Sequence, residues 1–535
     1  MFEEIKSQEH AALKGAEGRQ VHYRPDRYAA SQLDAFPRCD VVLSDLVEGT
    51  RSPVNVVNFS SNGIAIISSK KPTGLSPGKT YDCDITLTDQ LNFKKTVQVA
   101  RSEDTPEGTL IGVRFRDSLL DIEDLFKKSR ESSYLRQMMD LSRRVGGIVN
   151  NNGSNNFKTV VSDMKFYLET IRDEIDKIEN EACAEKVLQS KEAKESFLAN
   201  FYEEFGPIFQ KLIVGLNNSV KEVSEEESKH HAIYVKECLG DLFFTSPLWE
   251  RAYKKPFGYS GDFVIMEISY WDHYRGETLF GKLLTKAGIM MSAPTATRTR
   301  ADLVKSYIKK TVDEAPEGPI NILSIACGPA KEVKEYLKES YPAGKKINIS
   351  LLDQDKRALD FCHKDFAEFY CGEGDVSDTV KLKFINASIR SLLKDDEFVL
   401  SLGEMDLIYT VGLFDYLPLP VSQRLAQRLF SLLKPHGRLI IGNLRENCTS
   451  KGIFDLALDW PMFYRTEEEL LQFIQSPSSI APEQPFEARV EAEKTGVNLF
   501  LNVRRHSNSL PPKKTEKKSL NISSLALEGE RVVYA

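Results

Sequence analysis

The chain has no C-x-x-C pair; its eight cysteines are scattered over 535 residues. Spacing of this kind offers neither a zinc knuckle nor a redox dithiol, so the cysteines read as reduced thiols and no metal is expected. Apolar runs long enough to cross a bilayer are also missing, and the first residues have neither a basic n-region nor an apolar h-region. The expectation is a cytoplasmic protein with no membrane span. Basic excess is absent too: 71 Lys and Arg stand against 78 Asp and Glu, a net charge of −7 with a pI near 5.8. General nucleic-acid binding wants a basic surface, so no nucleic-acid partner is expected. A full G-x-G-x-x-G and a glycine followed by Lys-Ser/Thr are likewise lacking, which counts against dinucleotide and P-loop phosphate sites.

What is present suffices for more than one core. Hydrophobic residues make up 41% and aromatics 10%, at a length whose prior is three or four units. From about Arg19 to Phe126, runs such as Val54-Asn55-Val56-Val57 and Ile111-Gly112-Val113-Arg114-Phe115 alternate with turn residues, a spacing suited to a small β-barrel. The texture then turns helical. Phe157, Val161, Met164, Leu168, Ile171, Ile175 and Ile178 form one seam, and Phe197, Phe201, Phe205, Ile208, Leu212 and Leu216 a second. Such seams bury against another helix, and this region offers a surface for a homodimer. Val145 to Asn156, rich in Gly and Asn, reads as a hinge. After Arg505 a Pro-, Lys- and Ser-rich stretch reads as a disordered tail. The expected divisions are an extension at 1–18, the β-barrel at 19–126, helices at 127–245, an α/β domain at 246–505 and the tail at 506–535.

Pro319 to Asp355 carries most of the functional information. An apolar run from Ile320 to Ile325 leads to the small-residue turn Ala326-Cys327-Gly328-Pro329-Ala330, then to a helical segment and a second apolar run ending in Asp353. This describes a βαβ unit whose backbone approaches a ligand closely at the turn and presents it to a helix N-terminus. Asp353 stands 25 residues after Gly328, near the spacing at which a strand-end acid accepts hydrogen bonds from ribose hydroxyls. An adenosine-type cofactor follows. A pyrophosphate would want more backbone N–H groups than this turn offers, whereas S-adenosylmethionine (SAM) carries no phosphate.

ILSIACGPAKE at 322–332, LLDQD at 351–355, INASI at 385–389 and LIYTVGLFDYLP at 407–418 resemble the successive strand ends of class I SAM-dependent methyltransferases. With GYSGD at 258–262 and DWPMFYRTEEEL at 459–470, the chain is similar to a bacterial branch of these, the extracellular-factor 3-hydroxypalmitic acid methyl ester biosynthesis family. The likeness covers roughly residues 245 to 505. It implies a Rossmann-like sheet with an antiparallel edge hairpin, SAM as cofactor and methyl transfer to a carboxyl group of a fatty-acyl or related acceptor. Asp353 and Gln354 would then meet the ribose, Ala326 to Ala330 the methionyl end, and Asn386, Ala387 and Ser388 the adenine. Gly412 and Arg298 complete the cofactor set. Asp415, Tyr416 and Tyr464 are the catalytic candidates, while Tyr259, Arg300, Trp460 and Arg465 would bind the acceptor. An ionised carboxylate needs no general base; an amine or hydroxyl acceptor would call on Asp415 or Tyr416. Three departures stand out: Ser324 occupies the place of an acid, and Ala326 and Ala330 replace outer glycines, which alanine can do without strain only where φ is negative.

The N-terminal segment resembles a PilZ domain. Asn58, Ser60 and Gly63 fit that family's [D/N]-x-S-x-x-G, which there joins an Arg-x-x-x-Arg in gripping cyclic di-GMP by bidentate guanidinium contacts. The equivalent of the second motif runs from Asp34 to Arg38. It keeps Arg38 and places an acid where the first arginine should be. The whole is thus expected to be multidomain, α+β and α/β, with a PilZ-like module regulating a methyltransferase. The rival expectation is a signalling adaptor whose SAM and cyclic di-GMP sites have decayed.

Overall fold

The computed structural model describes residues 12–14, 20–22, 27–33, 40–44, 51–68, 76–88, 91–150, 156–339, 345–367, 379–474 and 485–506. The chain divides into two compact units, Met1–Val145 with Asp173–Glu204, and Gly146–Arg172 with Phe205–Ala535.

In the first unit, β1 (Ala12–Lys14) and β2 (Gln20–His22) form a small antiparallel pair. Strands β3 (Tyr28–Ala29), β4 (Asp40–Ser44), β5 (Arg51–Ser60), β6 (Gly63–Ser68), β7 (Thr80–Thr88), β8 (Leu91–Thr105) and β9 (Gly108–Phe115) follow. Their order is β3-β5-β4-β7-β8-β9-β6 with a further β5–β6 pairing, so six antiparallel strands close into a ring. Closure requires curvature, and register shifts at Val56/Asn58 and Val99/Arg101 supply it as bulges do. Alternation fills the inside: Thr109, Ile111, Val113 and Phe115 are the buried residues of β9. Helix α1 (Ile122–Asn150) begins where Asp121 accepts the Glu123 and Asp124 N–H groups, and its Ile122 and Leu125 join the strand core.

Helices α2 (Phe157–Ala184) and α3 (Lys191–Ser219) carry the two apolar seams, every residue of which is buried. Pro207 lies inside α3. Both unit boundaries in these helices, and the one in α1, fall within continuous helix. The expected hinge is corrected in part: Val145 to Asn150 belong to α1, and residues 151–155 lie outside the described residues. Gly146 is there for packing, since a Cβ would stand 2.5 Å from Ile208 Cδ1.

The second unit continues with α4 (Glu225–Phe243), α5 (Pro247–Lys254), α6 (Phe263–Trp271), α7 (Leu279–Ile289) and α8 (Ser292–Glu314). Then β10 (Ile320–Ile325), α9 (Lys331–Glu339), β11 (Ile347–Asp353), α10 (Lys356–Asp365), β12 (Val380–Asn386), α11 (Ile389–Lys394) and α12 (Asp396–Ser401) alternate. Strand β13 (Met405–Thr410), α13 (Leu419–Ser431), β14 (Leu433–Leu444), α14 (Lys451–Ala457), α15 (Glu467–Leu471), β15 (Phe486–Ala492) and β16 (Asn498–Arg505) complete it. The sheet order is β12-β11-β10-β13-β14-β16-β15, parallel through β14 and antiparallel at β16 and β15. Both faces are covered: Leu323, Ile325, Ile408 and Ile441 enter one core, Ile322, Ile349, Leu407 and Ile440 the other. That is why these strands read as unbroken apolar runs. Strand order reverses at β10, leaving a crevice between the carboxyl ends of β10 and β13.

Close approach makes one residue of the first unit testable. A Cβ at Gly63 would lie 2.2 Å from the Val113 carbonyl oxygen, backbone that cannot swing away. Gly63→Ala is expected to destabilise the chain by about 1–3 kcal/mol, the usual cost of overpacking, read as a lower urea midpoint.

Candidate functional site

A cavity of about 200 Å³ sits at this crevice. One part of its lining is the turn after β10. Ala326, Gly328 and Ala330 all take left-handed backbone, with φ of 52°, 51° and 47°. Only the glycine does so without Cβ strain, so the condition under which alanine replaces glycine freely is not met at either position. The turn is fastened to the next strand: Cys327 N–H donates to the Leu352 carbonyl at 3.2 Å, and Gly328 N–H to Asp353 Oδ2 at 3.0 Å. The other Asp353 oxygen accepts the Asp355 N–H at 2.8 Å. Burial pushes the Asp353 pKa up, against the pull of these backbone donors. Cys362 Sγ donates to the Gly328 carbonyl at 3.0 Å, and its contact with the Cys327 thiol, together with burial, pushes the latter well up and keeps it neutral.

Gln354 and Ala387 line the cavity beside Asp353. Asn386 does not; its Nδ2 donates to the Asp353 and Gln354 carbonyls at 3.0 Å each and so pins that corner from behind. Ser388 caps α11, accepting the Ser391 N–H.

Much of the remaining lining is apolar, with side chains such as Leu248, Ile265, Met266, Ile289, Phe454 and Met462. Gly412, Asp415, Tyr416 and Trp460 line the cavity as well. Asp415 Oδ1 accepts the Leu444 N–H at 2.7 Å, and burial lifts its pKa to about 6 despite that bond. Trp460 Nε1 donates to the Tyr416 hydroxyl at 2.9 Å; burial and the neighbouring Asp415 push that phenol up, so it is no ready base. Tyr259, Ser260 and Gly261 of the GYSGD segment line the cavity too. Tyr259 donates to Asp355 Oδ2 at 2.7 Å, and a Cβ on Gly261 would meet Trp460 at 2.9 Å.

The remaining candidates separate. Arg300 lines the cavity, 8% exposed, with Nη1 donating to the Val411 carbonyl at 2.7 Å and Nε without a partner. Arg298, two residues earlier and hence on another face of α8, does not reach the cavity; it binds the Ile289 carbonyl and Thr295 Oγ1. Tyr464 also lies off the cavity, with a buried hydroxyl that has no partner. Arg465 is turned to structure: it holds the Phe414 and Leu417 carbonyls and Asn443 Oδ1. Sequence reasoning passed over Glu332, a buried cavity-lining carboxyl in the first turn of α9, bonded by Tyr409 Oη at 2.8 Å. The only signal for it was an acid at a helix start just past the turn.

In the first unit, Ser60 Oγ donates to the Gly63 carbonyl at 3.1 Å and Asn58 pairs with Ala65, so the motif shapes the β5–β6 hairpin. Arg38 and Asp34 lie outside the described residues. Among the described residues no cluster of metal-ligating side chains occurs, and no helix is long and apolar enough to cross a membrane.

Residues 31–128 match the family model of the PilZ domain. No curated protein matches the chain. Among solved structures, a protein from Bordetella parapertussis described as a possible exported protein is 15% identical, covering 60% of this chain and 100% of its own, with a TM-score of 0.36. Magnesium protoporphyrin IX methyltransferase from Synechocystis, solved with bound SAH (S-adenosylhomocysteine), is 12% identical over 40% and 87%, with a TM-score of 0.29. N-methyltransferase NodS from Bradyrhizobium japonicum, with the same ligand, is 13% identical over 38% and 86%, with a TM-score of 0.24. Likeness at this level assigns nothing to the chain.

Two outcomes follow from the site's own geometry. Ala326→Gly should relieve left-handed strain worth about 1–2 kcal/mol and lose about 0.4–1 kcal/mol to chain entropy. A net gain of about 0.5–1 kcal/mol in urea unfolding is expected. Asp415 has a folded pKa raised from 3.8 to about 6, so its contribution to stability is complete below 3.8 and is lost as pH rises through 6. In Asp415→Asn, the fall in melting temperature across that window should be shallower than in the parent.

Proposed function

We propose that residues 246–505 form a SAM-dependent methyltransferase that esterifies a carboxyl group of a fatty-acyl or related acceptor, in the manner of the 3-hydroxypalmitic acid methyl ester family, with the PilZ-like segment as its regulatory module. The observation that carries this reading is one cavity lined by two unlike sets of groups: close backbone beside a strand-end acid, and aliphatic and aromatic side chains. The fit to SAM is supported by the open space beside Gly328, where no atom lies within 4 Å of a built Cβ, and by the partnerless Nε of Arg300. Asp353 and Gln354 would take the ribose, and Ala326 to Ala330 the methionyl end.

When bound, SAM would supply an electrophilic methyl group to an acceptor oxygen, the carbon–sulfur bond giving way with its electron pair kept on sulfur, so that carboxylate and sulfonium would end as neutral ester and thioether. No proton moves, which suits a site whose phenols are held protonated. The chain's part is alignment and exclusion of water. Trp460 fixes Tyr416, Asp415 anchors the start of the 444–445 segment through the Leu444 N–H, and the strap from Tyr259 to Gly261 lines the cavity with them. The apolar lining favours an acyl chain over a polar acceptor.

Calorimetric titration of the full chain with SAM tests the donor half, and mass spectrometry of lipids from cells carrying parent or Asp353→Ala protein tests the acceptor half. Binding in the micromolar range that is lost in Asp353→Ala, together with loss of a methyl ester from the lipid profile, is the expected result. An absence of heat would favour the adaptor; an unchanged lipid profile would remove the acyl acceptor. A cyclic di-GMP titration in the same instrument reports on the regulatory half.

A further inference from the structure

Two opposite charges line the cavity and do not close on each other. Glu332 is 6% exposed and Arg300 8%, both line the space, and the two lie beyond ion-pair distance. Arg300 lowers the Glu332 pKa against the larger effect of burial, which raises it. Each is only partly satisfied, Arg300 by the Val411 carbonyl with its Nε left over and Glu332 by the Tyr409 hydroxyl, and two buried charges of opposite sign left apart are poised for a ligand carrying both. Glu332 is also held. Tyr409 donates to it at 2.8 Å, and Tyr409 is the β13 register partner of Ser324, the residue at the strand position where an acid was expected. The phenol thus steadies a carboxylate one element further on.

Building on the methyl-donor reading above, we propose that Glu332 recognises the α-ammonium group of the donor's amino-acid end while Arg300 takes its α-carboxylate, so that the acid missing at Ser324 has moved to the first turn of α9. Tyr409 is a positioning residue. The pair makes the site selective for a nucleoside bearing a zwitterion over the same nucleoside without one.

The test compares S-adenosylhomocysteine with 5′-methylthioadenosine, which keeps the nucleoside and lacks the amino acid, by calorimetry on the full chain. Glu332→Gln keeps the size and the bond from Tyr409. It should weaken S-adenosylhomocysteine about 10- to 100-fold, the worth of a charge-assisted hydrogen bond, and leave methylthioadenosine within about twofold. Tyr409→Phe should show the same selectivity with a smaller loss, and serves if Glu332→Gln does not fold. Unchanged S-adenosylhomocysteine affinity in Glu332→Gln, or equal loss of both ligands, overturns the assignment while leaving the donor reading intact. Failure of the parent protein to bind either ligand overturns the donor reading itself.

Discussion

The hydrogen bond from Gly328 N–H to the Asp353 carboxylate is the contact on which the second unit's crevice depends. It joins the turn after β10 to the last residue of β11, beyond the final β10–β11 pair Ile325 and Leu352, and so fixes how far the turn stands from the acid. To donate there, the backbone passes through left-handed geometry at 326, 328 and 330, and two of those residues are alanines. The strain is carried by the surroundings: Ala330 and Cys327 are packed into the sheet core, and the Cys327 N–H is tied to Leu352. A rigid sheet on both sides makes such a conformation persist.

Around that fixed corner the cavity divides its chemistry. Backbone groups and a few buried charges share the lining with aliphatic and aromatic surface, and the GYSGD strap reaches Asp355 through Tyr259 and Trp460 through Gly261. Asp262, at the end of the strap, is fully buried, caps α6 and pairs with Arg251 at 2.9 Å. The strap is therefore anchored at one end by a charge pair and at its middle by a phenol, which limits the ways it can lift.

How much of this the sequence disclosed depended on whether local pattern or tertiary geometry decided the outcome. Apolar runs such as Ile320 to Ile325 announced buried parallel strands because both faces are covered, and the seams of α2 and α3 announced helices because burial there follows the helical period. Arg298 and Arg300 could not be told apart, since the residues of α8 give no clear sign of which face meets β13. Tyr464 looked catalytic and Arg465 like an acceptor ligand because polar residues beside Trp460 invite that reading; only packing shows Arg465 spent on backbone carbonyls. Glu332 was invisible for the opposite reason, being an acid in the first turn of a helix, where acids are common. The expected hinge gave way to helix at Val145 to Asn150 because glycine in a helix can signal a close neighbour as well as freedom, and at Gly146 the neighbour is Ile208.

The two units trade the chain back and forth at 145/146, 172/173 and 204/205, each time inside α1, α2 or α3 and not in a linker. Dissection therefore has no natural place to cut. A fragment ending after the barrel would carry a helix stump with an apolar stripe facing water, and one beginning at the α/β sheet would leave Tyr167 and Phe205 of its own core behind or stripped of half their helix. Isolated pieces of this protein should be expected to aggregate for reasons unrelated to what either half does in the intact chain.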